Sequence, residues 1–103
     1  MPVAFKLRFA GGTLDQYDQV LELMGLSGGH TVDADGAVFH WVTATDDGLL
    51  VMDVWETDEA FQRYAEDKIV PLSLQVGLGE PEITRHEIHN WLVAEKLAVA
   101  ASA

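Results

Sequence analysis

A chain of 103 residues that is 49% hydrophobic is sized for one domain with its own core, far from the polar, charge-rich composition of disorder. Six Lys plus Arg against seventeen Asp plus Glu leave a net charge of -11, which repels phosphate backbones and anionic bilayers and argues against nucleic acid or membrane as a partner. Having no Cys, the chain has no disulfide, thiol nucleophile or cysteine-based metal site, and MPVAFKLRFA, interrupted by Lys6 and Arg8, is too short for a signal peptide, so a cytoplasmic protein is expected.

Residues 3–10, VAFKLRFA, put Val3, Phe5, Leu7 and Phe9 on one side and Lys6 and Arg8 on the other, the period-2 pattern of a strand. Gly11 and Gly12 end it. Thr13 and Gln16 then have the T-x-x-Q spacing of a capping box, and Leu14, Tyr17, Val20, Leu21 and Met24 recur at helical intervals, predicting a helix over 14–24 with Gly25 as its stop. Residues 26–36, LSGGHTVDADG, lack periodicity and read as an exposed loop in which His30 is solvated.

FHWVTATDDGLLVMDVWE, residues 39–56, is two apolar runs around the turn cluster Thr45, Asp46, Asp47 and Gly48, a β-hairpin. A two-residue loop pairs His40 with Trp55 and Val42 with Asp53; a four-residue loop pairs His40 with Asp53. Both registers are even, so His40, Asp53 and Trp55 share a face either way. The faces divide into Val38, His40, Val42, Leu49, Val51, Asp53 and Trp55 against Phe39, Trp41, Leu50, Met52 and Val54.

Thr57 or Asp58 caps a second helix with Phe61, Tyr64 and Ala65 on one face, and Asp58 and Glu59 in its first turn suit the macrodipole. Pro71 bends the chain into a second short helix that ends near Gly77 or Gly79. After Pro81, residues 82–92, EITRHEIHNWL, read as a fourth strand. The domain spans 1–93, and 94–103 is a small-residue tail, a frayed helix or an arm over a neighbour.

The order βαββαβ predicts an α+β, ferredoxin-like fold: a four-stranded antiparallel sheet with both helices on one face. Because the hairpin is apolar on both faces, the uncovered one predicts a homodimer joined sheet to sheet. Lys6 and Arg8, on a central strand, need partners, and Asp53, Glu56 or a carboxylate of the second copy are the expected ones.

The stretch DDGLLVMDVWETDEAFQRYAEDKIVP, a strand ending in VWE that runs into T-D-E-A-F and a helix with Phe61 and Tyr64, resembles the dimeric α/β-barrel superfamily. Within it the chain is similar to small antibiotic-biosynthesis monooxygenase-like proteins. The resemblance covers nearly the whole chain through its element order, and it implies a dimeric α/β barrel. Members include cofactor-independent oxygenases of polyketide-like aromatics, haem-degrading enzymes, lactone isomerases, polyketide cyclases and proteins without known activity. Family oxygenases resemble this chain in carrying a Trp near the third strand, matched by Trp55. They often add an Asn near the first helix, where this sequence offers Asp15, Gln16 or Gln19. The second helix has no histidine of the kind haem binders carry.

Within that frame His40 and Asp53 are the candidate catalytic pair: a carboxylate that orients an imidazole equips it to take an acidic C–H or O–H proton. The alternative is a satisfied structural pair. Trp55, Tyr64 and Tyr17 are candidate walls and hydrogen-bond donors for a small aromatic or apolar ligand. His86 and His89, three apart on a strand, point to opposite faces and form no helical metal pair; His89, in parity with Glu87 and Trp91, is assigned to the pocket. Neither metal nor cofactor is expected. Two functions stand: a cofactor-independent oxygenase or cyclase/isomerase-like enzyme, and a non-catalytic dimeric ligand-binding or interaction module. A cavity holding His40 and Asp53 separates the first from the second.

Overall fold

The computed structural model of the chain describes residues 2–96. Its elements are β1 (Val3–Ala10), α1 (Leu14–Met24), β2 (Ala37–Thr45), β3 (Gly48–Trp55), α2 (Asp58–Tyr64), a π-turn (Ala65–Ile69), α3 (Val70–Gln75) and β4 (Glu82–Glu87). The strands form one antiparallel sheet in the order β2-β3-β1-β4. This is the expected ferredoxin-like βαββαβ arrangement.

The local signals act as their chemistry dictates. Thr13 accepts from the Gln16 backbone while the Gln16 side chain accepts from the Thr13 backbone, closing the capping box, and Gly25, at φ 77°, turns the chain out of α1 in the left-handed region open to glycine. Thr57, not Asp58, caps α2 through a bond from the Ala60 N–H. The helix does not break at Pro71. It widens through the π-turn, where the Val70 N–H reaches back to the Ala65 carbonyl, and resumes as α3 with Pro71 in its first turn.

The hairpin has the register that pairs His40 with Asp53, and its ladder runs one step further, to Thr45 opposite Gly48, leaving Asp46 and Asp47 as a two-residue turn. Arg8 pairs with Asp47 at 2.6 Å, so its counter-ion is a turn residue rather than Asp53 or Glu56. A bulge between Ala37 and Phe39 corrects the expected face assignment at one point: Ala37 stands opposite Trp55, and Val38 is displaced from the inward face.

The helices cover the face that carries Val3, Phe5, Leu7, Phe9, Leu49, Val51 and Trp55, and the core forms there with Val20, Ala60, Phe61, Ala65 and Leu78. Phe5 and Phe61 stack at 3.8 Å between ring centroids, and Trp55 meets the edge of Phe61. On the opposite face Phe39 is 59% exposed and Trp41 45%, with Leu50, Met52 and Val54 half-buried beside them.

The fourth strand is shorter than expected, ending at Glu87 rather than Leu92. Its ladder on β1 closes at Val3 opposite Glu87; the next position on β1 is Pro2, which has no N–H to donate. Trp91, Leu92 and Val93 follow as exposed irregular chain, and 97–103, most of the expected tail, lie outside the described residues. No helix among the described residues is long and apolar enough to cross a membrane.

Candidate functional site

Between the sheet and the helices lies a cavity of about 120 Å³ whose wall is almost wholly apolar. Leu7, Phe9, Leu49 and Val51 floor it from the central strands, and Val20, Met24 and Ile69 wall it from the helices. Tyr17, His40, Asp53, Trp55, Tyr64 and Ser73 supply its polar groups. Five of the six residues assigned to the site by sequence therefore line one space.

Four of them are hydrogen-bonded in a row. Asp53 sits mid-strand on β3 with its side chain 7% exposed, directly across the ladder from His40 on the edge strand β2. Its Oδ1 meets His40 Nδ1 at 2.6 Å, and its Oδ2 accepts from the Trp55 indole N–H at 3.2 Å. Trp55 is two residues along the same strand, hence on the same face, and donates from a ring that is itself buried. On the far side of the imidazole, His40 Nε2 meets the Tyr17 hydroxyl at 2.6 Å, and the two rings lie within 8° of parallel.

The tautomer follows from the partners. A carboxylate only accepts, so His40 Nδ1 carries a proton, and in the neutral ring Nε2 is left to accept from the Tyr17 O–H. The phenol is well placed to remain a donor: burial first, then the negative charges of Asp53 and Asp18, push Tyr17 from its ordinary value near 10 up to about 12. Tyr64 is raised for the same reasons, burial first and Asp53 second. Its hydroxyl donates to the Met24 thioether at 3.3 Å.

This row has the logic of an acid–base triad, with a phenol where a nucleophilic hydroxyl often stands. The carboxylate fixes the ring's orientation and its proton, and the imidazole presents a lone pair to Tyr17. Tyr17 is the member whose oxygen has capacity left for a molecule in the cavity.

Other assignments fall differently. His89 is exposed, two residues beyond the end of β4, and is not part of the cavity wall; His86 sits opposite Ala4 on the face away from the helices. Since β2 and β4 are opposite edges of the sheet, three inter-strand steps of about 4.8 Å, roughly 14 Å, separate His40 from a β4 side chain, so a metal site shared between them within one copy is geometrically closed. Among the described residues no three His, Cys, Asp or Glu are grouped to hold a metal ion. Gln16, one of the residues offered where family oxygenases often carry Asn, is committed to the capping box and to the Val76 carbonyl.

The sequence reading missed part of the wall. Leu26, Val32 and Ala34, in the segment read as an exposed loop, close one side of the cavity. The i, i+2 spacing of Val32 and Ala34 among polar residues was the available signal. Ser73, buried on α3, was missed as well.

No protein-family model and no curated protein sequence matches the chain, but solved structures do. The cofactor-independent oxygenase SnoaB from Streptomyces nogalater is similar at 22% identity, covering 88% of this chain and 96% of that one with a TM-score of 0.61. Rv0793 from Mycobacterium tuberculosis is similar at 16% identity, with 90% and 100% covered and a TM-score of 0.61. A monooxygenase from the gene ActVA-Orf6 of Streptomyces coelicolor, solved with the ligand Nanaomycin D, is similar at 17% identity, with 91% and 92% covered and a TM-score of 0.55. At these identities the likeness carries the fold, and a fold hosts many chemistries. The chain has the fold of the antibiotic-biosynthesis monooxygenase-like proteins.

Proposed function

We propose that the protein is a cofactor-independent oxygenase that takes a proton from an electron-rich aromatic or enolisable small molecule in this cavity. The observation that carries the reading is the hydrogen-bonded row Trp55–Asp53–His40–Tyr17 ending in an otherwise apolar space. Dioxygen reacts with a substrate anion far more readily than with the neutral molecule, so the protein's part is to make that anion and shelter it from water.

In the proposed step the substrate's acidic proton passes to the Tyr17 oxygen as the Tyr17 proton moves to His40 Nε2. The imidazolium so formed is held against Asp53. The anion reduces dioxygen, a C–O bond forms to give a hydroperoxide, and loss of water leaves a carbonyl: a CH2 group and O2 become C=O and H2O. The proton lodged on His40 returns through Tyr17 to the departing oxygen. SnoaB, a cofactor-independent oxygenase of the same fold, makes this chemistry a reasonable occupant of the scaffold. The exposed Phe39 and Trp41 on the uncovered face support a homodimer as the working form.

The test is oxygen uptake with resorcinol-type rings and cyclic 1,3-diketones, whose keto tautomers carry the CH2 group that the step oxidises. The expected result is consumption above the spontaneous rate, lost in His40→Gln and reduced in Tyr17→Phe. Equal rates with wild type and His40→Gln would overturn the assignment.

A further inference from the structure

Strand pairing fixes the floor of the cavity and helical hydrogen bonds fix its α1 and α3 walls, but one side is held differently. There the chain between α1 and β2 contributes Leu26, Val32 and Ala34. Both ends of this segment are tied down: the Leu26 N–H bonds to the Leu21 carbonyl, the Ala37 N–H to the Ala34 carbonyl and the Glu56 N–H to the Gly36 carbonyl. Residues 30–33, between those ties, make no backbone hydrogen bond among the described residues. The side chain by which that stretch reaches the cavity is Val32, which is still 43% exposed.

Val32 also stands where the cavity opens. Of the residues that line it, Val32, Phe39 and His40 are the exposed ones, and the last two belong to the edge strand β2. The mouth therefore lies between residues 30–33 and the free edge of β2. It is beside the His40–Tyr17 end of the proton row, where a ligand's acidic group would sit. A molecule held at Tyr17 has the domain's packed core on its inner side and Val32 at its outer limit.

We propose that Val32 is a size-determining residue and that the ligand it admits is a single-ring phenol or enol, fused two-ring systems being excluded. The scale follows from the volume: a dry cavity of about 150 Å³ accommodates benzene, and this one, at about 120 Å³, holds one ring and no more. The assignment to Val32 follows from the ties around it. A larger ligand displaces whichever wall is held least, and moving a strand or helix breaks backbone hydrogen bonds, whereas moving residues 30–33 breaks none. The inference rests on the cavity being the ligand site, as in the proposed function, but does not depend on turnover.

The experiment is a calorimetric titration under anaerobic conditions with resorcinol and 1,3-dihydroxynaphthalene, which share the 1,3-oxygen pattern and differ by one fused ring. The second ring adds apolar surface and so tightens binding wherever there is room for it. Wild type should instead bind the naphthalene about 10-fold more weakly than resorcinol. Val32→Ala, a truncation at an exposed position, should bring the naphthalene to the affinity of resorcinol or beyond it, with resorcinol nearly unchanged. Leu23→Ala, on an exposed part of α1 outside the cavity wall, should keep the wild-type discrimination. Wild type binding the naphthalene as tightly as resorcinol, discrimination that survives in Val32→Ala, or its loss in Leu23→Ala as well, would overturn the proposal. Discrimination without oxygen uptake would uphold the role of Val32 while refuting the oxygenase reading, and uptake with equal affinity for both rings would do the reverse.

Discussion

Replacing Asp53 by Asn changes the direction in which the row of hydrogen bonds points while barely changing its shape. The Trp55 indole can only donate, so the carbonyl oxygen of the new side-chain amide must keep that bond, which turns the amide N–H toward His40 Nδ1. The imidazole can accept there only by carrying its proton on Nε2 instead, and Nε2–H then faces the Tyr17 oxygen, leaving the phenol proton without its acceptor. A hydrogen bond to a charged partner is worth about 1.5–3 kcal/mol and a neutral one about 0.5–1.5, so two weakened bonds cost about 2 kcal/mol. The lighter burial cost of a neutral amide recovers part of that, leaving a loss of about 1–2 kcal/mol. Asp53→Ala should cost more, because it strands the indole N–H of a tryptophan only 3% exposed, about 1–3 kcal/mol, and opens a void as well. Urea melts should therefore rank wild type above Asp53→Asn and Asp53→Asn above Asp53→Ala. Nitrogen-resolved NMR of the neutral His40 ring should show its proton moving from Nδ1 to Nε2 in Asp53→Asn, with turnover falling by about 10²- to 10⁴-fold. A ring still protonated on Nδ1 in Asp53→Asn, or an Asp53→Ala variant as stable as wild type, would refute the row as drawn.

The chain's two tyrosines, Tyr17 and Tyr64, are both raised, so absorbance at 295 nm should show little tyrosinate in the native protein through pH 10, with Tyr17 half-ionised at about pH 12, whereas both should titrate near 10 in denaturant; native half-ionisation at pH 10 would contradict the burial. Because these folded values lie above the unfolded one, their contribution to stability is complete below about pH 10 and disappears as pH rises toward 12, which melts across that window will show. Gly48→Ala should destabilise by about 2–4 kcal/mol, since φ is 153° and a Cβ would stand 2.1 Å from the Phe9 carbonyl oxygen, while Gly25→Ala, at φ 77° with nothing within 4 Å, should cost about 1–2 kcal/mol; equal losses would show that the close approach at Gly48 is relieved by movement. Light scattering should give about twice the 11.3 kDa chain mass, and Met52→Asp on the uncovered face should halve it; a wild-type monomer would remove the proposed dimer.

What could be read from the sequence depended on how local the physics was. The caps of α1 were legible at Thr13, Gln16 and Gly25 because each acts within four residues of itself. The shared face of His40, Asp53 and Trp55 was legible because strand parity survives a change of loop length, and the structure needed only to choose between two even registers. The bulge at Val38 broke that parity for one residue, and nothing in the pattern marked it. Tyr17 on His40 was beyond local reasoning: the contact joins a helix to a strand 23 residues away, and periodicity says which face a residue occupies but not what it meets there. His89 was misplaced because the length of β4 is set by where β1 begins, at the far end of the chain. Ser73 was missed because a run such as AEDKIVPLS carries the proline that marks a turn but no sign of one extra residue ahead of it.

The π-turn also divides the molecule's freedom to change. The proton row is built on the sheet and on α1, and its geometry is set by strand pairing, which a change of helix length does not touch. The face that α3 offers the cavity is set by a single residue of helical phase. Deleting one residue between Ala65 and Ile69 would rotate everything after it by about 100° and exchange the serine for a neighbour, with every residue of the row left in place. A lineage of such proteins can therefore revise what the cavity admits in one insertion or deletion, far more abruptly than by substitution, while the acid–base apparatus is inherited intact.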